Sequence, residues 1–350
     1  MSTHLIPVGS AVLGRVLNAN GEPIDHKGTL DHAIHLPLYA PDAKSAGAET
    51  ASLRVLETGI KVLDLMAPAS YGSIIGMLAG PGLGLVVVTE ELMHTLITRH
   101  QAVLVVAGMS QTTYDATALR EMVRNIEAED RIVMLFEQAT DVISVRQRLL
   151  RTAMTIAAHF DGAGHEVLLV LDRHFVIPET MADVQLFVTA KGITSLLFVP
   201  MNDLDQPANS TVLTALDVQW WFSRSRYRQN VWPAIDPLAS RSRVLESTAV
   251  SQEHRQVAER VRDVLLRYYA LRERSGSETL SEEDRRLLAR GERIDLFLTQ
   301  PFVVAEAYTD LPGAYLTIEE TISSFRDLLD GRYDAVPAQA FNFVGRIEQE

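Results

Sequence analysis

The chain has 350 residues, 47% of them hydrophobic and 22% charged, enough to bury a substantial core in one to three globular domains. Its 32 Lys and Arg stand against 45 Asp and Glu, and a net charge of −13 argues against nucleic acid or an anionic lipid surface as partner. Cysteine is absent, which excludes disulfides, thiolate chemistry and cysteine metal sites and fits a cytoplasmic protein. No basic segment followed by an apolar one opens the chain, so no secretory signal is expected. The longest apolar stretch, 74–88, is too short to span a bilayer and is broken by glycines and Pro81, so direct membrane insertion is not expected.

In chain order, residues 12–17 followed by Asn20-Gly21-Glu22-Pro23 predict a strand closed by a turn, because Asn-Gly readily takes positive φ. Residues 26–50 lack periodicity and are expected to form an extended surface connection. Short apolar runs then recur at 74–78, 102–107, 131–136, 167–171 and 195–199, separated by segments long enough for helices. Continuous apolar strands with helical crossovers predict a parallel sheet covered on both faces, an α/β nucleotide-binding type of domain.

After about Arg243 the pattern turns helical. Val257, Val261, Val264, Leu265 and Tyr268 place an apolar stripe on a charged segment. Ser281 before Glu282-Glu283-Asp284, and Thr317 before Glu320, predict capped helix starts, with Gly331 as a stop. The predicted division is an α/β domain over 1–242 and a helical domain over 243–350.

The segment Ala79-Gly80-Pro81-Gly82-Leu83-Gly84-Leu85-Val86 joins a predicted strand to a predicted helix, the setting of a phosphate-binding P-loop. Such a loop needs glycines so that backbone amides can wrap phosphate, a lysine for the β/γ oxygens and a hydroxyl for Mg²⁺. Gly80, Gly82 and Gly84 are present. Leu85 stands where the lysine belongs and Val86 where the hydroxyl belongs, while Pro81 has no amide hydrogen to give. By itself the loop fits either a structural turn or the relic of a phosphate site.

Residues flanking that loop carry a resemblance over most of the chain. Leu56-Glu57-Thr58-Gly59-Ile60-Lys61-Val62-Leu63-Asp64-Leu65-Met66-Ala67-Pro68 is similar to the segment leading into the P-loop of F-type ATP synthase β subunits. In the same order follow Leu13-Gly14-Arg15-Val16-Leu17-Asn18 upstream, Trp232-Pro233-Ala234-Ile235-Asp236-Pro237-Leu238 with Ser242-Arg243, the acidic Leu280-Ser281-Glu282-Glu283-Asp284, and Phe297-Leu298-Thr299-Gln300-Pro301-Phe302. The resemblance implies a RecA-like P-loop domain, a parallel sheet flanked by helices, followed by an α-helical C-terminal domain. It further implies that the family's N-terminal β-barrel lies outside this sequence, and that a stretch between Asp172 and Ile193 is shorter than in the family.

Carried over residue by residue, the resemblance implies a lost catalytic site. Gln111 replaces the glutamate that positions the attacking water, and Thr112 replaces an arginine beside the phosphates, in addition to the changes at Leu85 and Val86. Asp172, after Val167-Leu168-Leu169-Val170-Leu171, matches the carboxylate that supports Mg²⁺; it could equally be a strand-end residue capping nearby amides. Its neighbour His174 suggests a metal pair only at first glance, so no metal site is expected. Trp232 and Tyr308 match aromatics that stack on adenine, and as alternatives they fill core space. Trp220-Trp221-Phe222 either fills space or anchors a partner.

Losing two or three charge-assisted phosphate contacts, each worth roughly 1.5–3 kcal/mol, weakens Mg-ATP binding on the order of 10³-fold or more. The expectation is a degenerate β-subunit-like pseudoenzyme with no required cofactor and at most weak ATP or ADP binding. Its partner would be another protein, such as a subunit of a rotary ATPase or a secretion complex. The alternative is a nucleotide-binding subunit of a divergent proton-translocating F-type ATP synthase.

Overall fold

A computed structural model describes residues 4–40, 53–109, 128–137, 142–202, 210–274 and 280–347. They pack as two compact units, Met1–Leu53 with Ser70–Asp217, and Arg54–Ala69 with Val218–Glu350. These units partition the chain differently from the linear division at 242–243, because 54–69 and 218–242 fall with the later segment.

Among the described residues the first unit is built on eight strands: β1 (Leu5–Val8), β2 (Val16–Leu17), β3 (Ile34–Pro37), β4 (Ile74–Ala79), β5 (Val103–Met109), β6 (Ile132–Glu137), β7 (Val167–Leu171) and β8 (Thr194–Pro200). Six of them form a parallel array in the order β4-β8-β7-β5-β6-β2. Every residue of β5 and β7 is buried, which is why these strands read as unbroken apolar runs and not as alternation. The crossovers carry α1 (Leu85–Thr98), α2 (Ile143–Gly162) and α3 (Pro178–Lys191). α2 packs on β5 and β7 and against α3. This is the parallel sheet flanked by helices that the resemblance implies.

Two expectations for the opening residues need correction. Only Val16–Leu17 of the expected strand 12–17 is extended, and Ser10–Val12 forms a 3-10 turn. Gly9 and Gly14, at φ 90° and 70°, flank that turn, and Gly14 breaks the run 12–17. The Asn-Gly turn itself is present, with Gly21 at φ 81° donating its amide to the Asn18 carbonyl at 2.9 Å. Residues 26–40 are mostly exposed, as a surface connection would be, but they contain β3, which pairs antiparallel with β1; residues 41–50 lie outside the described residues. Most of β3 is exposed, so no hydrophobic alternation marks it in the sequence.

The second unit is mainly helical: a short helix Lys61–Met66, then α4 (Gln252–Arg274), α5 (Glu282–Phe297) and α6 (Ile318–Leu329), which pack on one another. Val257, Val261, Leu265 and Tyr268 are buried, as the stripe predicts, while Val264 is half-buried. Both capping boxes form: the Ser281 side chain accepts from the Asp284 amide, the Thr317 side chain from the Glu320 amide, and each acid reaches back. Gly331, at φ 81°, follows the end of α6.

Val218–Trp221 and Arg241–Ser242 add a short antiparallel pair. Trp220 is fully buried with its indole N–H donating to the Ala67 carbonyl at 2.9 Å, and Phe222 is buried too. For Trp220 and Phe222 the packing supports filling core space, while Trp221 between them is half-buried. Among the described residues, no helix is long and apolar enough to cross a membrane.

Candidate functional site

The glycine-rich turn connects the C-terminal end of β4 to the start of α1. Gly82 and Gly84 take φ of 75° and 82°, left-handed values that a residue with a Cβ adopts only at a cost. Gly84 is the N-cap of α1 and brings no side-chain hydrogen bond. The helical ladder starts with the Val88 amide donating to the Gly84 carbonyl at 3.1 Å, so the amides of 85–87 precede it and face the loop end. The turn therefore keeps two left-handed glycines at the start of a helix.

Its side chains are not those of a phosphate site. Leu85 and Val86 are half-buried and Val87 is 38% exposed, so the mouth of the turn is apolar. The nearest hydroxyl along the helix, Thr89, is fully buried and donates back to the Leu85 carbonyl at 2.8 Å. It cannot stand in for the missing Mg²⁺ ligand at Val86.

Asp172 lies at the same end of the sheet, directly after β7. Two inter-strand spacings separate β7 from β4, about 10 Å across the array. The carboxylate is 2% exposed. One oxygen accepts from the His174 amide at 2.9 Å, and the other accepts from the Met109 amide at 2.7 Å. The second oxygen also lies 3.0 Å from His174 Nδ1. Gly108 makes room for this arrangement, because a Cβ there would come within 3.1 Å of the same carboxylate oxygen and 2.8 Å of Phe136.

Asp172 is thus a clasp between the ends of β5 and β7, with three of its roughly four acceptor sites engaged. A hard cation needs free oxygen lone pairs, and this carboxylate has few to give. Among the described residues, no group of three or more His, Cys, Asp or Glu side chains could hold a metal ion. The Asp-x-His spacing was the one sequence signal for the clasp; the Met109 amide, 63 residues away, left none. Gln111 and Thr112 lie outside the described residues.

Trp232 and Tyr308 both belong to the second unit. Trp232 is half-buried and meets Tyr227 edge-on, ring centroids 5.1 Å apart at 75°. Tyr308 is 85% exposed, so it fills no core space there.

Two buried ionisable groups escape reading from the sequence. Asp64 is fully buried, and burial pushes its carboxyl up to about 7 against donors from Thr58 and Gly59 at 2.7–2.9 Å. Lys61 is fully buried and held well below the ordinary lysine value by loss of solvent. The only signal for either was charge inside the apolar run 60–67.

Residues 59–192 fit the family model described as the nucleotide-binding domain of the ATP synthase alpha/beta family. The matched span contains the glycine-rich turn and Asp172.

Proposed function

We propose that this chain, a member of the ATP synthase alpha/beta family by its nucleotide-binding domain, is a cytoplasmic pseudoenzyme that acts through protein contacts without turning over ATP. The observation that carries the reading is Asp172, whose two oxygens are engaged by the Met109 and His174 amides and the His174 ring. Phosphoryl transfer depends on positioning and on charge to stabilise the transferred group. At this turn Leu85 and Val86 supply neither, and the Thr89 hydroxyl is turned into its own helix.

What is retained supports a structural or regulatory role in a rotary ATPase-like or secretion-type complex. The acidic start of α5 is held in shape by its capping box, and the Glu282 side chain is 78% exposed. Tagged full-length chain, isolated from its own cells at low salt, is expected to bring down subunits of such a complex. Reversing Glu282, Glu283 and Asp284 to lysine is expected to lower that capture at least tenfold. Recovery of the chain alone in both cases would count against the reading.

A second reading, a nucleotide-binding subunit of a divergent F-type ATP synthase, is favoured by the left-handed Gly82 and Gly84. Calorimetry with ATP and ADP, with and without Mg²⁺, separates the two. Binding below millimolar nucleotide would favour the second.

A further inference from the structure

We propose that residues 342–347 form a strap poised to lift from the second unit, with the buried Lys61 ammonium beneath it favouring the lifted state. This does not rest on the catalytic reading. Lys61 opens the short helix Lys61–Met66 and is fully buried. Its ammonium donates to the Val344 carbonyl at 2.7 Å, lies 3.5 Å from the Gly345 carbonyl and sits 3.8 Å from the centre of the Phe297 ring. Among the described residues no carboxylate neutralises it.

Dehydrating an ammonium costs more than one charge-assisted hydrogen bond and one ring contact return. Burial accordingly depresses the basicity of Lys61. Its main acceptor belongs to the strap, so burying the lysine and seating the strap are one event. Lifting the strap rehydrates Lys61, and that hydration more than offsets what the hydrogen bond and the ring had supplied.

The strap carries a second cost. Phe343 takes φ 51°, a left-handed value disfavoured for a bulky side chain. The Phe343 amide is held there by the Thr299 hydroxyl oxygen at 2.7 Å. Gly345 fits closely, since a Cβ at that position would fall 2.7 Å from the Ala314 Cβ. Residues 342–345 are only half-buried. Few buried contacts and two built-in costs mark a segment that opens locally, well below the free energy of global unfolding. Phe343, Val344 and Ile347 also line a groove of about 1200 Å³ facing Pro301 and Leu311, so lifting removes one of its walls.

Native-state hydrogen exchange on the full chain at low denaturant tests this. The Phe343 amide is expected to exchange at least 100-fold faster than the amides of Phe325 and Leu328 in α6, and with little dependence on denaturant. Equal rates and equal denaturant slopes would overturn the proposal. In Lys61→Met the rehydration gain is gone, so Phe343 exchange is expected to slow at least tenfold. Unchanged or faster exchange would overturn the role given to Lys61, because a simple hydrogen-bond fastening would loosen. Should that variant not fold, the wild-type measurement decides alone.

Discussion

Putting back the two side chains that the glycine-rich turn lacks separates its backbone from its chemistry. In Leu85→Lys/Val86→Thr the turn already has its left-handed glycines, and the new side chains sit in the first turn of α1, where Leu85 and Val86 are half-buried and not locked in the core. A lysine there gains one charge-assisted contact to a triphosphate, roughly 1.5–3 kcal/mol, or about 10- to 150-fold tighter ATP binding. The threonine is expected to add little, because Mg²⁺ also needs the Asp172 carboxylate, and both of its oxygens are engaged. Calorimetric titration of wild type and variant, each with and without Mg²⁺, reads both effects. The expected result is a tenfold or greater gain in ATP affinity with almost no Mg²⁺ dependence. A variant that binds Mg-ATP far more tightly than ATP, or that hydrolyses it, would refute the reasoning about Asp172.

Asp172→Ala is expected to lower stability by about 2–4 kcal/mol in denaturant melts, because the Met109 and His174 amides lose their acceptor in a buried place; a neutral result would remove the clasp. Asp64 gives a pH dependence. Its folded-state value near 7 lies above the ordinary 3.8, so the native state holds a proton that the unfolded state has lost. Its stabilising contribution is full below about pH 4 and is lost as pH rises through about 7, up to about 4 kcal/mol across that interval. Thermal melts between pH 5 and 8 should show this slope, and Asp64→Asn should flatten it. Trp220→Ala removes a fully buried indole and its bond to the Ala67 carbonyl, for an expected loss of about 3–5 kcal/mol in the same melts.

The sheet was legible because β4 to β8 are buried strands whose apolar runs end within two residues of the observed strands. The helical caps were legible because a capping box is a local contact, complete within four residues. β3 was not, since pairing with β1 through backbone bonds leaves its mostly exposed side chains without a pattern. In the candidate site, the losses at Leu85 and Val86 are visible from residue identity alone. The engagement of Asp172 is not, because it depends on an amide at the end of a neighbouring strand. The same holds for Lys61, whose acceptor lies 283 residues further along the chain.

Loss of ATP turnover is tested most directly by phosphate release from the purified wild-type chain at millimolar ATP and Mg²⁺. No release above the protein-free background is expected, with no difference when Gln111 is changed to Ala. Magnesium-dependent release that Gln111→Ala abolishes would contradict the pseudoenzyme reading.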